Sequence, residues 1–258
     1  MNIPKTILKA YPEILNWSII TAYRGSIAHG LYVPSSDSNS IDDKDVMSIC
    51  IPPIFYYFGL EEYGSRGTKE IKYKKWDIVV YEFKKCIQLL KQGNPNILCI
   101  LWMDKDSYIK VSKEGKQLIK KRNLFVGRHV YHSFVGYAKG QLHRMTHLAF
   151  EGYMGKKRKR LVQKFGYDTK NACHLIRLLK MGTEFLKKGE LYIKRKDADY
   201  LLSIKRGEWS LEDIKKESDA LFQEAEKAYE QSKLPDNLDY KKINELCVSI
   251  LRDHFYQN

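Results

Sequence analysis

The sequence predicts an α+β protein in which a sheet-bearing segment, residues 1–110, precedes a helical segment, residues 111–258. Three observations lead there. Short runs rich in β-branched and aromatic residues, bounded by turn formers, occupy the first eighty or so positions. From Glu82 onward the apolar period lengthens to that of helices, and beyond Ser112 almost every signal is helical. Hydrophobic residues at 43% and aromatics at 12% suffice for a packed core, while no apolar run approaches the ~20 residues that span a bilayer.

Taken in order, Thr6 to Ile14 reads as a short helix interrupted at Pro12, leading into a strand at Trp17–Tyr23 that stops at Gly25-Ser26. Residues 33–40 are dense in turn formers and read as a loop. A buried strand follows at Asp45–Ile51, halted by Pro52-Pro53, then an exposed turn at Gly64–Gly67 and a third strand at Trp76–Tyr81. Phe83, Ile87 and Leu90 fit an amphipathic helix closed by Gly93-Asn94-Pro95, with a second helix starting near Asn96. Helices are then expected at 113–122, 134–150, 169–188, 211–232 and 240–255.

The net charge of +14 is localised. Residues 111–180 hold 17 basic and 3 acidic side chains, whereas the flanking segments balance to +2 and −2. A localised excess of this size suits a polyanion, because phosphate neutralisation releases counterions; the alternative is charge kept for solubility. The five cysteines, Cys50, Cys86, Cys99, Cys173 and Cys247, are scattered without metal-ligand spacing and read as reduced core thiols. The N-terminus lacks the apolar core and cleavage site of a signal peptide, so a cytoplasmic protein without a membrane partner is expected.

Three features of the first segment belong together: Gly25-Ser26 directly after a strand, Asp43 and Asp45 at the start of the next, and a carboxylate on the third. In extended chain, residues two apart share a side, so Asp43 and Asp45 converge on one point where carboxylates can hold a divalent cation. Two Mg²⁺ ions in such a setting stabilise both the attacking and the leaving oxygen of a displacement at phosphorus. Gly25 allows backbone amides close to a triphosphate, and the Ser26 hydroxyl can donate to a phosphate oxygen. A lone Asp-x-Asp is more often a solvated turn; the ordered set is what carries the reading. In the helical segment, Lys170, His174 and Arg177 are spaced four and three apart and share a helix face that would suit a nucleotide or nucleic-acid phosphate, the alternative being a surface stripe with His174 in the core. The run Lys156–Arg160 reads as a solvated loop, with nucleic-acid contact as the competing role, and His143 and His147 read as packing or surface residues.

Gly25-Ser26-Ile27-Ala28-His29-Gly30 and Ile41-Asp42-Asp43-Lys44-Asp45-Val46-Met47 resemble the signature of nucleotidyltransferases of the DNA polymerase beta superfamily. More narrowly, the chain is similar to the RNA-ligase-associated, RNA-repair-linked group, in Trp76–Phe83, Gly93–Asn96, Tyr167–Leu179 and Ile204–Glu208 as well. The resemblance implies a small mixed-sheet, palm-like catalytic domain (1–110) followed by a helical acceptor-binding domain (111–258). It implies Asp43, Asp45 and a third strand carboxylate, Asp77, as catalytic residues and ligands of two Mg²⁺ (or Mn²⁺) ions, with Glu82 the second choice for the third position. Gly25 and Ser26 would hold a nucleoside triphosphate, joined by Lys170, His174 and Arg177. The expected reaction moves a nucleoside monophosphate to a hydroxyl, with an RNA end as acceptor. Nucleotidylation of a protein, tRNA or small molecule is the alternative, and a non-catalytic nucleic-acid-binding descendant a further one. One departure from the family pattern is the 16 residues between Ser26 and Asp43, a loop in which Asp37 competes with Asp42 as an outer partner.

Overall fold

A computed structural model of the chain describes residues 3–34, 43–146 and 156–256. Asp37, Asp42 and His147 therefore lie outside the described residues. Among the described residues, five strands form one sheet: β1 (Ser18–Tyr23), β2 (Lys44–Cys50), β3 (Thr68–Tyr73), β4 (Trp76–Glu82) and β5 (Tyr108–Val111). Their order is β3-β4-β2-β1-β5; β2 and β4 run parallel and the other neighbours antiparallel, so the sheet is mixed.

Helices of the first half are short: α1 (Lys5–Ala10), α2 (Gly25–Ala28), α3 (Phe55–Phe58), α4 (Phe83–Lys91) and α5 (Pro95–Leu98). The rest of the chain supplies α6 (Lys113–Lys120), α7 (Val130–Thr146), α8 (Lys156–Phe165), α9 (Thr169–Lys188), α10 (Ala198–Lys205), α11 (Leu211–Glu230) and α12 (Tyr240–Tyr256). The architecture is α+β, as the sequence predicts.

The central strands are buried on both faces, and residue parity decides what each face meets. Val46, Ile78 and Val80 turn to one side, where Ile7 and Ile14 cover them in a small core. Met47, Ile49 and Val79 turn to the other and enter a large core that continues through Phe83, Phe134, Leu175 and Leu201 to Ile250. Asp43, Asp45 and Asp77 share the parity of Met47 and Val79. They therefore open toward the helical half of the molecule.

α9 is the spine of that half. Asp168 caps it, accepting from the Asn171 amide at 3.0 Å, and Gly189 ends it in the left-handed conformation at φ 71°. α7, α10 and α11 pack along it. Most of α9 is buried, including Leu175, Ile176, Leu179 and Phe185.

Several elements differ from the sequence expectations. β3, with Lys69, Glu70 and Lys72 on an edge strand, lacks the apolar run of its neighbours; edge strands carry such charges to avoid mispairing. Lys156–Arg160 opens α8 instead of a loop. Cations at a helix N-terminus oppose the helix dipole. Arg158 offsets this, donating to both carboxylate oxygens of buried Asp168 at 2.6 and 2.7 Å and to Asn171 Oδ1 at 3.2 Å.

Candidate active site

β1 ends at Tyr23, and the chain turns at Gly25 into α2. Gly25 holds φ 61°, a conformation side chains rarely adopt, and any Cβ there would collide with Asp45 Oδ2. A glycine is thus required both by the turn and by the carboxylate against it. The turn is pinned to β2 by the Arg24 amide, which donates to the Asp45 carbonyl at 2.9 Å. Across the parallel β2–β4 pair, Asp45 stands in register with Asp77 and Lys44 with Trp76. Asp43, two residues before Asp45, extends the same row.

These carboxylates form one wall of a cleft of about 810 Å³. Gly25, Ser26 and His29 continue that wall, Lys170, His174 and Arg177 come from α9 opposite, and Tyr137, Gln141 and Arg144 come from α7. Asp45 is desolvated, and its carboxyl is pushed from the ordinary 3.8 up to about 6. Burial is the largest cause; Arg24 and Lys170 pull it back down, and the neighbouring charges of Asp77 and Asp43 push it further up. Arg24 also stands 3.7 Å from Asp77 Oδ1.

The opposite wall is cationic and buried. Arg177 is 7% exposed and, among the described residues, has no carboxylate beside it; it donates to His29 Nε2 at 2.6 Å and touches Met181 Sδ at 3.3 Å. His29, also buried, places Nδ1 2.9 Å from the Ile193 carbonyl. A carbonyl only accepts, so Nδ1 carries the proton and Nε2 offers its lone pair to Arg177. Burial, then the charge of Arg177, holds the His29 imidazole well below its usual value, in keeping with a neutral ring. The His174 imidazole is likewise held low, by burial first and then by Arg177 and Lys170.

Ser26 Oγ and Arg177 Nε are buried in these walls without a partner among the described residues. Leaving a buried donor unpaired costs about 1–3 kcal/mol, so each is a position that a bound oxygen would satisfy. Among the described residues no three His, Cys, Asp or Glu side chains close into a metal cage. The Asp43, Asp45 and Asp77 row nonetheless fits a hard divalent cation of the Mg²⁺ kind. It offers oxygen donors only, its Asp45 is desolvated enough to hold a raised carboxyl, and such cations take few protein carboxylates and complete their shell from water and phosphate.

The eight residues that the resemblance places in the site, Gly25, Ser26, Asp43, Asp45, Asp77, Lys170, His174 and Arg177, line this one cleft. Glu82 does not. It caps α4, accepting from the amides of Lys84 and Lys85 at 2.8 and 2.9 Å, and also accepts from the Tyr57 hydroxyl at 2.6 Å. Arg24 and His29 escaped the sequence reading as site residues. His29 stood inside the glycine-serine motif, but its partners lie 148 and 164 residues away.

A family model described as the RNA repair pathway DNA polymerase beta family matches residues 17–249. No curated protein matches the chain in sequence. Among solved structures the chain is similar to a nucleotidyltransferase-like protein from Exiguobacterium sibiricum 255-15, at 11% identity over 98% of this chain and 79% of that one, with a TM-score of 0.31.

Proposed function

The chain belongs to the RNA repair pathway DNA polymerase beta family, and from that premise we propose that it transfers a nucleoside monophosphate from a nucleoside triphosphate to the hydroxyl at an RNA end. The acceptor oxygen attacks the α-phosphorus, the bond to the bridging oxygen breaks, and pyrophosphate leaves. The observation that carries this reading is the facing of two charge poles across one cleft: in-register Asp45 and Asp77 on the sheet, uncompensated Arg177 on α9.

Each residue has a task under this reading. Ser26 Oγ and Arg177 Nε, both buried without partners, donate to phosphate oxygens. Lys170 adds a further cation to the α9 wall, and neutral His174 lends a polar edge without another charge to desolvate. Asp77 sits at the row's outer side with Arg24 beside it and receives the proton from the attacking hydroxyl. Asp43 and Asp45 would hold the divalent cations, Mg²⁺ or Mn²⁺, which would supply charge neutralisation to the attacking and leaving oxygens. RNA as acceptor is supported by the family and by the +14 of residues 111–180, part of which, at Arg144, Lys170 and Arg177, reaches the cleft.

The test is incubation of the full chain with Mg²⁺, each labelled ribonucleoside triphosphate in turn, and separate pools of RNA, DNA and protein. Label should pass to RNA and be lost in an Asp43→Asn, Asp45→Asn double variant that still folds. Transfer to protein alone would move the acceptor assignment, and undiminished transfer by the double variant would remove the carboxylate assignment.

A further inference from the structure

We propose that Tyr137, with Gln141 and Asn96 beside it, is a platform for a nucleobase; this rests on the nucleotidyl-transfer reading of the same cleft and adds a subsite to it. The residues placed so far account for phosphates and for the reacting centre. They leave unexplained a wall of the cleft formed by Tyr137, Gln141 and Arg144, spaced four and three apart on one face of α7, and by Asn96 at the start of α5.

Tyr137 is not a core residue. Its neighbours Phe134 and Ala138 fill the interior at 1% and 0% exposure, while Tyr137 keeps 37% of its surface open. That open part of the ring lines the cleft, beside the groups that the charged walls present.

A second observation fixes that ring from the other side. The Gly93–Asn96 turn, prominent in the sequence but without a role in phosphate or metal binding, is built against α7. Gly93 holds φ 67°, and a Cβ there would press on the Val130 backbone at 3.1 Å. Asn94 uses its side-chain oxygen to cap α5, accepting from the amides of Asn96 and Ile97 at 3.0 and 3.3 Å. Its remaining amide nitrogen donates to the Tyr137 hydroxyl at 2.8 Å. One side chain therefore holds the Tyr137 ring by its outer end and orients α5 so that Asn96 reaches the cleft.

The chemistry of this wall matches a base. Aromatic faces stack on any nucleobase, a contact that tolerates sequence and serves single strands and nucleotides alike. Gln141 and Asn96 each bring one donor group and one acceptor to pair with a base edge. Arg144, at the far end of the stripe, suits the adjoining phosphate. The base has two sources, the incoming triphosphate or the end of the acceptor strand, and binding measurements separate them.

The full chain and its Tyr137→Ala, Tyr137→Leu and Tyr137→Phe variants are titrated, with Mg²⁺ present, with the four ribonucleoside triphosphates, with inorganic tripolyphosphate and with a short single-stranded RNA. Loss of the stacking face in the Ala and Leu variants should weaken base-containing ligands roughly 5- to 150-fold, while tripolyphosphate affinity stays put and Phe largely restores binding. A loss confined to the triphosphates assigns the platform to the incoming base; a loss confined to RNA assigns it to the acceptor. Unchanged affinity for both, or an equal fall for tripolyphosphate, overturns the proposal. Failure of the wild-type chain to bind tripolyphosphate would instead count against the phosphate site.

Discussion

Replacing Asp45 with Asn should stabilise the cation-free protein at neutral and alkaline pH. The Asp45 carboxyl is raised from 3.8 to about 6, burial being the main cause. A raised carboxyl means the folded chain binds that proton more tightly than the unfolded chain. The associated stability is full below pH 3.8 and is lost as the pH rises through about 6. Above that point the ionised form costs the fold about 3 kcal/mol, and near pH 5 about half as much. Asn keeps the shape and cannot ionise. Urea unfolding of wild type and Asp45→Asn in EDTA should therefore show the variant ahead by about 3 kcal/mol at pH 8, roughly 2–4 °C in Tm for each kcal/mol, and by about 1.5 kcal/mol at pH 5. Saturating Mg²⁺ should narrow or reverse the gap, because a cation held only by the native state adds stability in proportion to RT ln(1 + [L]/Kd). A variant no more stable than wild type at pH 8, or a gap independent of pH, would refute the electrostatic account of the carboxylate row.

Gly25→Ala should lower Tm and abolish transfer, since the left-handed backbone costs about 1–3 kcal/mol and the new Cβ displaces Asp45 Oδ2; thermal melts and the transfer assay check both. His29→Ala removes the acceptor that orients Arg177, so affinity for tripolyphosphate should fall and KM for the triphosphate should rise more than kcat drops, with His29→Gln restoring part of the loss. Within the Lys156–Arg160 run the cations should separate by role. Arg158→Ala, which leaves buried Asp168 only its Asn171 contacts, should cost up to about 3 kcal/mol of stability. Lys159→Ser with Arg160→Ser should instead leave stability alone and flatten the salt dependence of RNA binding, by roughly 0.7 in log–log slope for each phosphate no longer neutralised.

Local patterns in the sequence carried part of this site, and long-range pairing carried the rest. Asp43 and Asp45 on one side of a strand follow from a period of two, and Lys170, His174 and Arg177 on one face of a helix follow from spacings of four and three. Thr169–Lys188 runs between an Asp cap and a left-handed glycine, so the bounds of α9 were legible too. The choice between Asp77 and Glu82 was not settled by sequence, because the register that sets Asp77 opposite Asp45 belongs to a parallel pair whose connection passes through β3. Glu82 had the alternative of a helix-start acid, and its two amide contacts are of that kind. α8 was hidden because its stabilising contact, Arg158 with Asp168, overrides an unfavourable local charge pattern.

The distribution of charge within the cleft narrows what can fill it. On the sheet side, Asp43, Asp45 and Asp77 crowd one edge, and Asp45 is desolvated enough to raise its own carboxyl. On the α9 side, Arg177 is buried without a carboxylate among the described residues and braced by a neutral histidine. In a fold selected for stability alone these opposite charges would be brought together, since an unpaired buried ion is among the costliest features a protein carries. Arg24 meets Asp77 and the charge of Lys170 is felt at Asp45, yet Arg177 stays on α9 away from any carboxylate among the described residues, with the cleft between it and the row. A neutral ligand would leave Arg177 uncompensated, and a bare anion would satisfy Arg177 while repelling the aspartates. A bare cation would do the reverse. A polyphosphate carrying divalent cations would satisfy both at once, and under the proposed reading the open aromatic face at Tyr137 on the third wall would take the base of a nucleotide.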